Sequence, residues 1–216
     1  VSDDGNYVFT TDEKSDAYIG SYDITDMSNI QEIDRIQSNP ESNSIPHNTH
    51  VDGDFLITSW YRDGTTVHDI SNPHNLVQVA YYDSYSGSGD GFDGCWGTYP
   101  FLPSGNIISS EINSSSNQSA KLMIYERGFV QACYLEGNIT DATNGNNLSG
   151  ASIEILNTPI TNNSTSNLLG YYGSGTANPA IYDVVFSKPG YLTDTLQTTL
   201  LSGQVVILNA ILYIDN

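Results

Sequence analysis

The chain has 216 residues and carries 25 Asp and Glu against 6 Lys and Arg, a formal net charge of -19, although only 14% of its residues are charged. So acidic a chain lacks the basic patch that nucleic acid or an anionic membrane surface requires, which leaves cations, neutral glycans and basic partners. It is not a charged disordered tail, because 15 Tyr, 6 Phe and 2 Trp can fill a core. There is no run of about 18 apolar residues to cross a bilayer. The chain opens on Val, with no basic-then-apolar signal segment, so a processed product or a portion of a longer chain is expected.

Short β-rich runs alternate with Gly, Asn, Asp, Ser and Pro clusters, and few segments show a helical period. The reading is all-β. The charge divides unevenly: residues 1–126 hold 19 acids and 4 bases, whereas residues 128–216 hold 6 acids and 1 base. The pattern changes at the same place, so two domains are expected, 1–127 and 128–216.

The first contains a repeat. Gly5-Asn6-Tyr7-Val8-Phe9-Thr10-Thr11 is echoed by Gly53-Asp54-Phe55-Leu56-Ile57-Thr58-Ser59 and by Gly105-Asn106-Ile107-Ile108-Ser109-Ser110. A second strand follows each copy, at Ala17 to Ile24, Thr65 to Ile70 and Lys121 to Tyr125. Two of these run into corners, Asp23-Ile24-Thr25-Asp26 and Asp69-Ile70-Ser71-Asn72-Pro73, in which each leading Asp is expected to cap its own turn. A further strand leaves each corner, at Ile30 to Ile36 and Leu76 to Tyr82. A period of roughly 40–50 residues with several short strands is the signature of propeller blades. About three blades are present, fewer than the four or so that close a ring, so a partial β-propeller is expected.

The second domain offers Tyr134 to Asp141, Leu148 to Ile155, Leu169 to Tyr172, Ala180 to Phe186, Lys188 to Leu192 and Val205 to Leu212, alternating runs that suit a small two-sheet sandwich. Cys95 and Cys133 either form one bridge in an oxidising compartment or remain two buried thiols.

Two resemblances sit on these residues. The corner Asp69 to Pro73, with His47-Asn48-Thr49-His50-Val51, Ser59 to Gly64 and Gly94 to Asn106, resembles LVIVD-repeat β-propellers of the choice-of-anchor B type. That resemblance implies an extracellular setting and no firm activity. Gly137-x-Ile139-x-Asp141, Leu148-x-Gly150-Ala151-x-Ile153 and Tyr182-Asp183-Val184-x-Phe186-x-Lys188-x-Gly190-Tyr191 resemble the carboxypeptidase-regulatory-like, transthyretin-type sandwich. That family implies an accessory module without catalytic residues. Where the family carries Asp-x-x-Gly, this chain has Ser166-Asn167-Leu168-Leu169-Gly170. The resemblances point to bacteria that use type IX secretion, and Asp194-Thr195-Leu196 is similar to the O-glycosylation triplet of such organisms.

Candidate sites each have a plainer alternative. Trp60, Tyr61, Arg62, Trp96 and Tyr99 are candidates for a protein- or glycan-binding surface, since aromatics and Arg concentrate binding energy; the alternative is that the tryptophans pack blades. His47 and His50, with Asp90 and Asp93 of the acidic loop 90–94, are candidate ligands for Ca2+ or another metal, although i, i+3 spacing fits no simple strand. Their alternative is to bond blade corners. His68 stands where the first repeat has Tyr22 and reads as a strand-surface position; His74 reads as a solvated turn residue. No nucleophile elbow, zinc-protease pair or phosphate loop is present. The expected function is a non-enzymatic structural, adhesive or binding protein at the outer cell surface. Two rival expectations are a propeller enzyme acting on polysaccharide and a subunit of an assembly whose neighbours complete the ring.

Overall fold

The computed structural model describes residues 1–40, 42–112 and 120–215. Among them every regular element is a strand, and the strands form five sheets, none closed into a barrel. There is no helix long and apolar enough to cross a membrane among the described residues. The chain divides into two compact units, residues 1–129 and 130–216.

The first unit holds three antiparallel sheets in chain order. The first sheet is β1 (Tyr7–Thr11), β2 (Ile19–Asp23) and β3 (Gln31–Ile36). The second is β4 (Pro46–Asp52), β5 (Phe55–Trp60), β6 (Gly64–Asp69) and β7 (Val77–Tyr82). The third is β8 (Gly94–Tyr99), β9 (Ile107–Ile112) and β10 (Lys121–Tyr125). The repeat is visible atom by atom. Gly5, Gly53 and Gly105 open their hairpins with φ of 74°, 59° and 79°, a left-handed turn that glycine adopts without steric cost. Thr25 donates its backbone N–H and its hydroxyl to Asp23 Oδ1 at 2.8 and 2.7 Å; Ser71 does the same to Asp69 Oδ1 at 2.9 and 2.7 Å. The expected Asx caps are therefore formed at both corners.

The second sheet is covered on both sides, and its middle strands β5 and β6 are buried along nearly their whole length. Leu56 and Trp60 pack with Phe9 and Ile19 of the first sheet. On the opposite side, Thr65 and Val67 face Ile107 and Tyr125 of the third. Two sequence expectations are corrected by this layering. Trp60 is a core residue rather than a partner surface, and His68 is fully buried rather than on a strand surface. Tyr22, its counterpart in the first repeat, stays half-exposed because the first sheet has only one neighbour.

The second unit is a two-sheet sandwich. One sheet orders β14 (Tyr171–Thr176), β11 (Cys133–Asp141) and β17 (Val205–Ile207), with β18 (Ala210–Leu212) also pairing β11. The other orders β13 (Ser164–Thr165), β12 (Ser152–Ile155), β15 (Ala180–Ser187) and β16 (Asp194–Leu200). Alternate residues of β11 and β15 fill the core: Leu135 and Ile139 from one, Tyr182, Val184 and Phe186 from the other. The Tyr191 hydroxyl donates to Asp141 Oδ2 at 2.8 Å, so two motif residues 50 positions apart close one contact. Asn167 Oδ1 accepts the backbone N–H of Leu169 at 2.9 Å and of Tyr171 at 3.2 Å, with Gly170 at φ 72°. The Asn167 side chain thus closes the turn that ends at Gly170.

Candidate functional site: an exposed aromatic group where three sheets meet

The first sheet contributes the β1–β2 loop, the second contributes β4 and the β5–β6 turn, and the third contributes the start of β8. Each of β4 and β8 carries a bulge. On β4 one extra residue lies between Pro46 and Thr49; on β8 the extra residue is Trp96, between Cys95 and Gly97. Bulges re-aim side chains, and this one explains the awkward spacing of the two histidines. His47 stacks on Trp96 with centroids 5.3 Å apart and planes at 26°, while His50 meets Phe101 edge-on at 5.8 Å.

Around His47 the contacts continue. Tyr61 tilts against it at 5.5 Å, and Phe92 meets Tyr61 edge-on at 5.2 Å. The Tyr61 hydroxyl donates to Glu13 Oε1 at 2.6 Å, and His47 Nε2 lies 3.6 Å from the same oxygen. Thr11 Oγ1 donates to the His47 carbonyl at 2.8 Å. Burial, together with the bond to Glu13, pushes the Tyr61 hydroxyl well above its usual range, so it remains a donor. Tyr61 is buried, whereas Trp96 is 49% and Phe92 57% exposed. The result is two outward-facing rings standing on a base of His47, Tyr61 and Glu13. Tyr99 and Phe101 form a second exposed pair, 5.4 Å apart and edge-on.

Arg62 is a clamp. Its guanidinium donates to the Ser88 carbonyl at 2.8 Å and to Asp93 at 3.0 Å, and it lies 5.3 Å from the Tyr85 ring centroid. These contacts hold the Gly-Ser loop that carries Phe92.

The four metal-ligand candidates do not assemble. His47 faces Trp96 and Tyr61, His50 faces Phe101, Asp90 accepts the Ser15 hydroxyl at 2.9 Å, and Asp93 accepts Arg62. Among the described residues no group of three or more His, Cys, Asp or Glu is placed to hold a metal ion. Each imidazole packs against a ring, and each carboxylate accepts a side-chain donor instead. The possible Cys95–Cys133 bridge is likewise absent: both thiols are free and buried. Cys95 lies in the layer between the second and third sheets, 3.4 Å from Thr65 Oγ1; Cys133 belongs to the sandwich core.

That layer is polar in a way the sequence did not announce. Thr65 and Ser109 share a hydrogen bond of 2.6 Å, and Glu111 is buried beside Cys95 and Ser84 with no hydrogen bond of good geometry to either carboxyl oxygen. Burial raises the Glu111 carboxyl, and it pushes the Cys95 thiol up to about 12, so Cys95 is not a nucleophile at neutral pH. Only the alternation of Ser109 and Glu111 with Ile108, Ser110 and Ile112 along β9 could have pointed there, and period-two alternation cannot say which face is covered.

Comparison with known proteins bears mainly on the second unit. Residues 134–213 match the family described as Carboxypeptidase regulatory-like domain, a regulatory-like rather than catalytic module. That match lies within the second unit. No curated protein is significantly similar to the chain. Among solved structures, the major pilin subunit BcpA of Bacillus cereus aligns at 13% identity and a TM-score of 0.31, over 51% of this chain and 38% of its own length. The minor pilin GBS52 of Streptococcus agalactiae aligns at 12% and 0.34, over 65% of this chain and 68% of its own. The pilus 2b backbone protein of group B streptococcus aligns at 10% and 0.32, over 97% and 98%. The chain spans well under half the length of BcpA.

Proposed function

We propose that the chain is a non-enzymatic binding module of the outer cell surface, in which Phe92 and Trp96 engage a neutral glycan or a protein partner and the sandwich acts as a spacer. One observation carries this reading: two large rings stand exposed in a contact group to which all three sheets of the first unit contribute, the first and second through the base of Glu13, His47 and Tyr61 and the third through Trp96 itself. A ring fixed in place loses little entropy on binding, and its face stacks on sugar or apolar surfaces. The acids nearby are already engaged, Glu13 by Tyr61, Asp90 by Ser15 and Asp93 by Arg62, which disfavours acid–base chemistry on a polysaccharide. Arrays of neutral polysaccharides and of surface proteins test the proposal. The wild type is expected to bind one class, and Trp96→Ala is expected to weaken that binding at least about tenfold with an unchanged circular dichroism spectrum. Equal binding by Trp96→Ala would overturn it.

The finer reading is that the three sheets are blades of a larger LVIVD-type propeller. It is supported by the matched corners, the matched turn glycines and the side of the third sheet that faces away from the second. On that side Leu122 is 65% and Ile124 63% exposed, beside Ile108 and Tyr99. Apolar residues so placed belong under a neighbouring blade supplied by a longer chain or by another copy. Sedimentation velocity should then show concentration-dependent self-association of the 216-residue chain, relieved in Leu122→Glu/Ile124→Glu. A strictly monomeric wild type would count against it. Trp96 rather than Tyr99 discriminates the two readings, because Tyr99 shares the face that a further blade would cover.

A further inference from the structure

Between the outer strands of the second and third sheets lies a cleft of about 290 Å³, separate from the aromatic group above. Its walls are Tyr81, Tyr82, Tyr125 and Phe129, its floor includes Thr65 and Val67, and Glu126 stands at its lip. Tyr82 and Tyr125 meet at 48° with centroids 5.2 Å apart, so they make a corner rather than a flat stack. Phe129 is fixed by an edge-on contact with Phe55 at 4.8 Å. The Tyr125 hydroxyl is buried beside Thr65 and Ser109 without a hydrogen bond of good geometry. Among the described residues lining the cleft, Glu126 is the only charged side chain, and none is Lys, Arg or His.

Aromatic walls set at an angle, one carboxylate and no competing cation are the requirements of a cation–π cage. Ring faces carry the negative end of the quadrupole, and an alkylated ammonium is weakly enough hydrated to leave water for them. The cleft is smaller than one that holds a drug-sized molecule and suits a headgroup. The chain's acidity gives the same cation a favourable long-range field. We propose that this cleft binds a quaternary or methylated ammonium group, with Tyr82 and Tyr125 as the corner of the cage and Glu126 as its counter-charge.

The test uses the full chain and three probes at fixed ionic strength: choline, tetramethylammonium and the neutral choline isostere 3,3-dimethylbutan-1-ol. Calorimetric or tyrosine-fluorescence titration is expected to show saturable binding of both cations, with the neutral isostere at least tenfold weaker. Glu126→Gln is expected to weaken choline several-fold, Tyr82→Ala to abolish the signal, and Tyr82→Phe, which keeps the ring, to retain it. Both tyrosines of β7 are exposed, so Tyr82→Ala is a surface change that leaves the core intact. Equal binding of the isostere would make the cleft merely apolar and overturn the proposal. So would no binding of either cation, or loss of binding in Tyr82→Phe equal to that in Tyr82→Ala.

Discussion

Gly94→Ala is expected to lower the stability of the first unit by roughly 3 kcal/mol or more and to abolish binding at Trp96 with it. Gly94 sits at φ 94°, and a Cβ there would lie on top of the Tyr61 carbonyl oxygen. That oxygen accepts the Cys95 N–H at 2.7 Å, so this close approach of backbones is what seats β8 against the β5–β6 turn. Left-handed backbone costs an L-residue about 1–2 kcal/mol, and overpacking against rigid backbone adds roughly 1–3 kcal/mol. Gly5→Ala is the control: its φ is 74°, yet nothing lies within 4 Å of its Cβ position, so only the smaller conformational cost is expected. Thermal unfolding of the two variants beside the wild type separates the terms. A Gly94→Ala protein as stable as Gly5→Ala would mean that β8 does not rest on Tyr61.

His68 is expected to make the first unit acid-sensitive well above the carboxylate range. Its side chain is fully buried, neither ring nitrogen has a hydrogen-bond partner, and desolvation pushes its pKa down to about 3. The folded chain therefore keeps it neutral, while the unfolded chain protonates it below about 6.5. Stability is unaffected above that value and falls as pH drops from 6.5 toward 3, by about 2 kcal/mol at pH 5. Asp34 works in the opposite sense. Burial raises it to about 6, so the folded chain holds its proton more tightly and the protein gains stability as pH falls from 6 toward 3.8. Denaturant titration of His68→Leu and wild type at pH 7 and pH 5 cancels the Asp34 contribution, because both proteins carry it. The variant is expected to gain about 2 kcal/mol over wild type on going from pH 7 to pH 5. A constant difference would show that the imidazole is solvated or paired in solution.

The strands and turns were legible because period-two alternation and turn chemistry are local. The Asx corners at Asp23 and Asp69 and the turn glycines appear as read. What the sequence could not show is which side of a strand lies under another sheet. His68 and Tyr22 occupy equivalent repeat positions and have opposite burial, since one belongs to a middle sheet and the other to an outer one. The bulges at His47–Asn48 and Trp96 were hidden for a similar reason: an extra residue breaks the alternation that would announce it. The metal candidates do not come together there, because His47 is taken up by the Trp96 ring and His50 by Phe101. In the second unit β16 leaves little trace in the sequence, as Asp194–Leu200 is an edge strand whose half-exposed face needs few apolar residues. Val205 to Leu212 read as one strand but forms two, broken at Leu208 and Asn209, where Asn209 Oδ1 accepts the Asn138 N–H at 2.9 Å.

The central claim is that binding is carried by the exposed rings of the first unit and not by the sandwich. Hydroxyl-radical footprinting, with and without the best surface found on the arrays, tests it most directly. Protection is expected at Phe92 and Trp96, with no change at Leu168, Leu169 and Tyr213, which are among the most exposed apolar residues of the sandwich. Protection confined to the sandwich residues, with Phe92 and Trp96 oxidised as fast as in the free chain, would contradict the account.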